Sequence, residues 1–258
     1  MKHIVRNLKD FEESRFKPGF TSPKHDGVRA FFYPGQNDLI SRQGKPILGM
    51  SHIIEELGDY GHVLDMELMI PGMEFNKLSG IVRNHDRTPE IIAQVFDSPG
   101  RGDLKERFSR LPQSTAVIQR VPHYFVSTLK RFWSLHTQFL GLGHEGSVWK
   151  SLNHTYLASQ RNWDWMREVP VKSEDCRVLG VYEGKGKMES IAGGIWIDFN
   201  GLECKCGTMK GLDYAARKEL LDNEDYYIGL VAEIQYKNLQ PSGKPRQPRF
   251  KGWRYDKS

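Results

Sequence analysis

The apolar pattern changes character near Lys172, and that change limits the chain to two differently built halves. Downstream, Arg177 to Tyr182, Ile191 to Phe199, Leu202 to Cys206 and Val231 to Tyr236 read as short strands. Gly184, Gly186 and Asn200-Gly201 separate them, and Leu212 to Leu221 has the spacing of one helix. Short strands with one helix in about 85 residues fit a small closed β-barrel of the OB type. The boundary is expected at Lys172 to Asp175, giving domains 1–172 and 173–258.

The first half mixes helices and strands. Gly19 to Arg42 alternates strand and turn, with Pro34-Gly35 and Asn37-Asp38 supplying the turn residues. Ser51 reads as the N-cap of a short helix that Gly58 stops. Val63 to Ile70 and Glu90 to Phe96 read as strands, Phe75 to Val82 and Asp103 to Leu111 as helices. In Ser127 to Leu140 the residues Leu129, Phe132, Trp133, His136, Phe139 and Leu140 share one helical face, which makes His136 a core histidine.

Composition narrows the partners only slightly. A formal charge of +5 permits a polyanionic partner without requiring one. Cys176, Cys204 and Cys206 are odd in number and lack His or Cys pairs at zinc-site spacing, so free thiols in a reducing cytosol are expected. Met1 to Arg6 contains no apolar run, so no signal peptide is expected. No stretch reaches the roughly 18 apolar residues of a membrane span.

The chemistry concentrates in Lys24-His25-Asp26-Gly27-Val28-Arg29, between two strands. A lysine beside a glycine that admits close approach, with an arginine near it, suits nucleophilic attack on phosphorus or a carbonyl carbon. Ser41-Arg42 closes a strand and offers a hydroxyl and a cation to a phosphate. Asp65 and Glu67 alternate onto one face of their strand. Phe96-Asp97 ends a strand with an aromatic suited to stacking on a base. Glu145 and Lys150 put a carboxylate, suited to a hard divalent cation, and an amine, suited to a phosphate, along another strand.

Taken in order, these stretches resemble the covalent nucleotidyltransferase superfamily of ATP-dependent DNA ligases, RNA ligases and mRNA capping enzymes. Lys24-x-Asp26-Gly27-x-Arg29 resembles its nucleophile motif, Ser41-Arg42 motif Ia, and Asp65-Met66-Glu67 motif III. Phe96-Asp97 resembles motif IIIa, and Glu145-Gly146-x-Val148-x-Lys150 motif IV. Arg246 to Lys257, ending Arg254-Tyr255-Asp256-Lys257, is similar to motif VI. Motif V departs from the family's Lys-x-Lys: Arg167 takes the first place and Val169 the second, with Lys172 as the alternative cation.

The resemblance implies an α+β protein: an ATP-grasp-like, antiparallel-sheet adenylation (nucleotidyltransferase) domain followed by an OB-fold β-barrel. It implies a DNA ligase of the small bacteriophage or bacterial type, using ATP and Mg²⁺, monomeric, cytoplasmic and acting on nicked duplex DNA in repair, replication or recombination. It assigns Lys24 as nucleophile, with Asp26, Arg29 and Lys150 also catalytic. Arg29, Glu67, Phe96, Lys150, Arg167, Lys172, Arg254 and Lys257 would bind the nucleotide. Glu67 and Glu145 would hold metal, and Ser41 and Arg42 the nick 5′-phosphate. An RNA ligase, a capping guanylyltransferase and a non-catalytic OB nucleic-acid-binding protein are the alternatives.

Overall fold

A computed structural model, describing residues 8–84, 89–156 and 162–257, divides the chain into two compact units, Met1–Val169 and Pro170–Ser258. In chain order the first unit contains β1 (Lys9–Asp10), β2 (Gly19–Lys24), β3 (Val28–Phe32), β4 (Leu39–Ser41), β5 (Pro46–Ile47), α1 (Ser51–Leu57), β6 (Leu64–Met69) and α2 (Phe75–Asn84). It continues with β7 (Ile92–Asp97), α3 (Leu104–Ser109), β8 (Ile118–Arg120), β9 (Tyr124–Val126), α4 (Leu129–Gly141), β10 (Gly146–Ser151) and β11 (Trp165–Glu168).

Its strands form two sheets, ordered β1-β11-β10-β2-β9 and β5-β4-β3-β6-β7-β8. In the first, Lys24 pairs with Gly146, Ser22 with Val148 and Phe20 with Lys150. Val148 and Lys150 pair in turn with Arg167 and Trp165. Direct cross-strand partners point to the same side, so all of these residues share one face. The other face carries Trp149 and Met166, buried against Phe132, Leu135 and Phe139 of α4. Thr128 starts α4 by accepting from Arg131 N at 3.2 Å. Burial of each such apolar side chain contributes roughly 1.5–3 kcal/mol.

The second sheet follows the same logic. Arg29 pairs with Glu67 and Phe31 with Asp65, so these four share a face. Ala30, Phe32, Leu64, Met66 and Leu68 point the other way, into a core closed by Ile53, Leu57, Leu78, Val82, Leu104 and Phe108 of α1, α2 and α3. Between the two sheets lie Phe31, Tyr156 and Trp165, with Phe96, Ile40 and Val148 against them. The order is therefore helices, sheet, sheet, helix, and the charged faces of both sheets look inward.

One local expectation needs correction. Ser51 is already helical and Met50 is the N-cap, with no side-chain capping bond. Gly49, at φ 77°, turns the chain one step early, and Met50 is drawn into the core. Helix α3, expected from the sequence, carries a fully buried arginine, Arg107. Its start is a capping box: Glu106 N donates to Asp103 at 2.9 Å and Asp103 N to Glu106 at 2.8 Å.

The second unit contains β12 (Lys172–Glu183), β13 (Ala192–Phe199), β14 (Leu202–Cys206), β15 (Thr208–Met209), α5 (Tyr214–Asp222), α6 (Glu224–Tyr227), β16 (Val231–Tyr236) and β17 (Arg249–Trp253). The sheet order is β14-β13-β12-β16-β17-β15. β14 at one edge runs through Gly207 straight into β15 at the other, so the sheet wraps around a single core. Register shifts at Val178/Gly180 and Tyr182/Glu183 bend the long strand β12. The fold is α+β, with the second unit an OB-type barrel. Its helix α6 and strand β17 lie outside the sequence expectation. Cys176, Cys204 and Cys206 are buried free thiols. No described helix is long and apolar enough to cross a membrane.

Candidate active site

Lys24 ends β2 and Glu145 precedes β10. Because Lys24 pairs with Gly146, the antiparallel ladder brings this carboxylate to that amine. Glu145 N donates to Lys24 O at 3.0 Å, and the side chains form an ion pair between Lys24 Nζ and Glu145 Oε2. Two glycines make room. A Cβ on Gly146 would strike the carbonyl of Glu168 on β11, and one on Gly27 would lie 2.7 Å from Glu67 Cγ and against the Leu68 carbonyl. Asp26 lies in the turn between β2 and β3.

Arg29 meets Asp65 through Nε at 2.8 Å and Nη2 at 2.5 Å, a bidentate contact. Tyr156 donates its hydroxyl to Asp65 Oδ2 at 2.6 Å. Burial opposes the charge on Arg29, and Asp65 more than restores it. The guanidinium stands 5.3 Å from the Phe96 ring and 5.4 Å from that of Trp165. Phe96 is half-buried. A register shift pairs Asp65 with Asp97 and Met66 with Val95, leaving Phe96 as the extra residue of β7 opposite β6. Such a bulge re-aims its side chain.

Lys150 stands between the two sheets. It is 1% exposed. Its ammonium donates to Asp97 Oδ2 at 2.8 Å and to Phe96 O at 3.2 Å, joining the two sheets. The same Asp97 accepts from Arg107 Nε at 2.9 Å. Arg107 also donates to His154 O at 2.9 Å and to His154 Nδ1 at 2.6 Å. Burial alone would raise the Asp97 carboxyl, but Lys150 and Arg107 outweigh it and hold Asp97 well below the usual carboxylate range. Burial pushes His154 down to about 3, with Lys150 and Arg107 adding, so its ring is neutral. Arg107, Tyr156, His154 and Trp165 carry no local signal in the sequence. They are found only because distant strands bring them to Asp97, Asp65 and Lys150.

Glu67 faces Lys24, Arg29 and Glu145. Burial raises its carboxyl to about 7, and Lys24 and Arg29 pull it down without cancelling that effect. Glu67 lies between the sheets with a minor part of its surface open to solvent, which weakens the effect. The folded value lies above the ordinary 4.5. Stability from the bound proton is therefore complete below about 4.5 and lost as pH rises through about 7. In metal-free buffer Glu67 should contribute a loss of about 1–3 kcal/mol between these limits, against the opposite slope from His25, His123 and His154, which burial keeps neutral in the fold. Glu67→Gln should remove that loss, so that in urea titrations at stepped pH its stability rises more with pH than the wild type's; equal slopes would take the proton off Glu67.

The remaining expected residues lie elsewhere in the fold. Ser41 pairs with Ala30, which places it on the face of the second sheet opposite Arg29. Its hydroxyl accepts from Lys45 N at 3.0 Å and closes a tight turn, so the structure does not bring Ser41 to Lys24. Arg42 follows β4 in that turn. Arg167 shares the inward face of the first sheet and pairs with Asp10 at 3.0 Å. Lys172 opens β12 in the second unit, exposed and opposite Tyr236. Arg254 and Lys257 follow β17, also in the second unit. His136 is buried, its Nδ1 2.9 Å from Ser147 Oγ, as its apolar helical face implied.

Known proteins are similar to this chain in sequence and fold. The DNA ligase of Haemophilus influenzae is 26% identical over 244 residues, covering 92% of this chain and 86% of that protein. A DNA ligase of African swine fever virus is 25% identical, covering 98% of this chain and 67% of its own. Among solved structures, a Lig E DNA ligase superposes with a TM-score of 0.81 at 19% identity, covering 97% of this chain and 98% of that one. The bacteriophage T7 ATP-dependent DNA ligase in complex with ATP gives 0.57 at 20% identity, covering 98% and 99%. Those two likenesses carry the fold. The family model of the ATP dependent DNA ligase domain matches residues 2–167, which takes in the lysine, both inward sheet faces and the carboxylates between them. On that match, the chain belongs to the ATP-dependent DNA ligase domain family.

Proposed function

We propose that this chain seals 5′-phosphate/3′-hydroxyl nicks in duplex DNA through a covalent lysyl-AMP, with Lys24 as the nucleophile. The observation that carries the reading is the Lys24–Glu145 ion pair at the end of paired strands, facing Arg29 and Glu67. Lys24 Nζ attacks the α-phosphorus of ATP, its proton passing to the carboxylate already in contact with it. The new N–P bond replaces the P–O bond to the β-phosphate, and pyrophosphate leaves with that electron pair. A 5′-phosphate oxygen of the nick then takes AMP from Lys24. Finally the 3′-hydroxyl attacks the activated phosphate, a phosphodiester forms, and AMP departs.

The protein's part in such chemistry is positioning and charge neutralisation. Phe96, re-aimed by its bulge, offers its face to adenine. Arg29, held by Asp65, keeps a fixed orientation toward the ribose and phosphate side. Lys150, bound to Asp97, fixes the separation of the sheets. Arg167 is the motif V cation carried by the first unit's sheet. Glu67 and Glu145 fit a Mg²⁺ site: both are hard oxygen donors, and Glu67 carries the raised affinity for a positive charge expected of a crowded buried acid. Among the described residues there is no cluster of three metal-ligating side chains. That fits an ion which takes one or two carboxylates and fills its shell with phosphates and water. The metal would neutralise charge on the α-phosphate.

Incubation with labelled ATP and Mg²⁺ should give an acid-labile AMP adduct that chases into sealed DNA on addition of a nicked duplex. A chain that takes up GMP instead, or seals RNA but not DNA, sinks this reading. DNA affinity should fall steeply with salt, since backbone phosphates dominate such contacts. Arg42→Ala should lower the preference for a 5′-phosphate nick over a 5′-hydroxyl nick by about 10- to 100-fold, the worth of a charge-assisted contact. Equal preference in variant and wild type would remove Arg42 from sensing the end.

A further inference from the structure

Arg254 and Lys257, the two tail cations of motif VI, share one carboxylate. Arg254 Nη1 donates to Asp175 Oδ1 at 3.2 Å and Oδ2 at 3.5 Å, and Lys257 Nζ donates to Asp175 Oδ2 at 2.5 Å. Arg254 Nε and Nη2 donate to Asp256, each at 3.0 Å. The backbone sets this up. Asp175 lies on β12 in register with Glu233 of β16. Arg254 N donates to Val231 O of β16 at 2.8 Å, and Lys257 N to Arg254 O at 2.9 Å. The chain thus turns over β12 and delivers both cations to one acid. Phe250 is buried and Trp253 packs on the barrel core, which anchors the segment. Glu233 stands nearby but is taken up by Ser173 and by Lys251 at 2.9 Å.

Two cations face two carboxylates, so the formal charge of the four groups is zero. Donors that a phosphate would take from Arg254 are already given to carboxylates of similar geometry. We propose that Asp175 is a competing counter-ion for the nucleotide step: it holds Arg254 and Lys257 in the place of an anion and yields them to the β- and γ-phosphates of ATP. This rests on the ligase reading above. During adenylation, negative charge moves onto pyrophosphate as its P–O bond breaks, and a polyphosphate outbids one carboxylate for the same donors. Asp175 thereby competes with ATP and with pyrophosphate, and keeps the tail neutral once pyrophosphate has left.

The test uses the full chain carrying Asp175→Asn. Three quantities are read at low and high salt: the ATP concentration half-saturating adduct formation, the pyrophosphate concentration that discharges the adduct, and the rate of sealing a pre-adenylylated nick. The first two should fall about three- to tenfold, the range of a part-exposed ion pair, and the change should shrink at high salt. The third should not move. Asp175→Glu, which keeps the charge, should restore the wild-type concentrations. Asp256→Asn, in the exposed tail, should shift them the same way by less, which keeps the proposal testable if Asp175→Asn folds poorly. No further gain is expected from Asp175→Asn in an Arg254→Ala/Lys257→Ala background. If Asp175→Asn instead raises both concentrations, Asp175 only builds the tail and the proposal is overturned. Normal adduct formation by Arg254→Ala/Lys257→Ala also overturns it, whereas a wild-type chain that forms no AMP adduct overturns the ligase reading itself.

Discussion

Lys24→Ala forms no AMP adduct with labelled ATP and seals no 5′-phosphorylated nick: that is the expected result, a loss of at least about 10⁴-fold because no second nucleophile stands at the site among the described residues. Glu145 cannot substitute, being the acceptor for the lysine's proton rather than an attacking group. Lys150 cannot either, since its ammonium is committed to Asp97 between the sheets. The same variant should still seal a nick whose 5′ end already carries AMP, though more slowly, because only the first two steps use the amine. Adduct formation by Lys24→Ala, seen as label retained on the denatured protein, would move the nucleophile elsewhere.

The second large effect concerns stability. Asp97→Asn leaves the buried cations Lys150 and Arg107 facing each other without a counter-ion. Breaking a buried pair by removing one partner costs about 3–5 kcal/mol, a large share of the roughly 5–15 kcal/mol that holds a typical domain. The urea midpoint should drop accordingly, with faster hydrogen exchange in β7 and β10, the strands that Asp97 and Lys150 join. Adding Lys150→Met should recover part of the loss, since one stranded charge then goes and its stem packs against Trp165, Phe96 and Phe108, the rings that surround the ammonium. A wild-type midpoint in Asp97→Asn would show that the carboxylate does not hold the sheets. If the double variant is stable yet forms no adduct, Lys150 acts on the phosphate after all.

Short-range patterns were legible wherever local chemistry decides the outcome. The alternation in Leu202 to Cys206 gave a strand with the same ends in the structure, and the apolar face of Ser127 to Leu140 gave α4 and its buried His136. Ser51 misled because a serine before an apolar helix is a frequent cap, and nothing nearby shows that Met50 must enter the core. Arg107 gave no signal, because a basic residue on a short amphipathic helix is usually solvated. Only the arrival of Asp97 and His154 from other strands makes its burial tolerable.

The sequence by itself determined the order of the motifs, the face on which Asp65 and Glu67 stand, and the family whose pattern those residues follow. These depend on spacing along one chain and on the two-residue period of a strand. The tertiary structure decided which charges meet. It set Glu145 on Lys24 through a pairing 121 residues apart in sequence, gave Lys150 to Asp97, turned Ser41 away, and closed Arg254 and Lys257 on Asp175. Charge pairing of this kind depends on strand register and on burial, which raises the cost of every unpaired charge and so fixes its partner. Neither quantity is written in the neighbours of a residue along the chain.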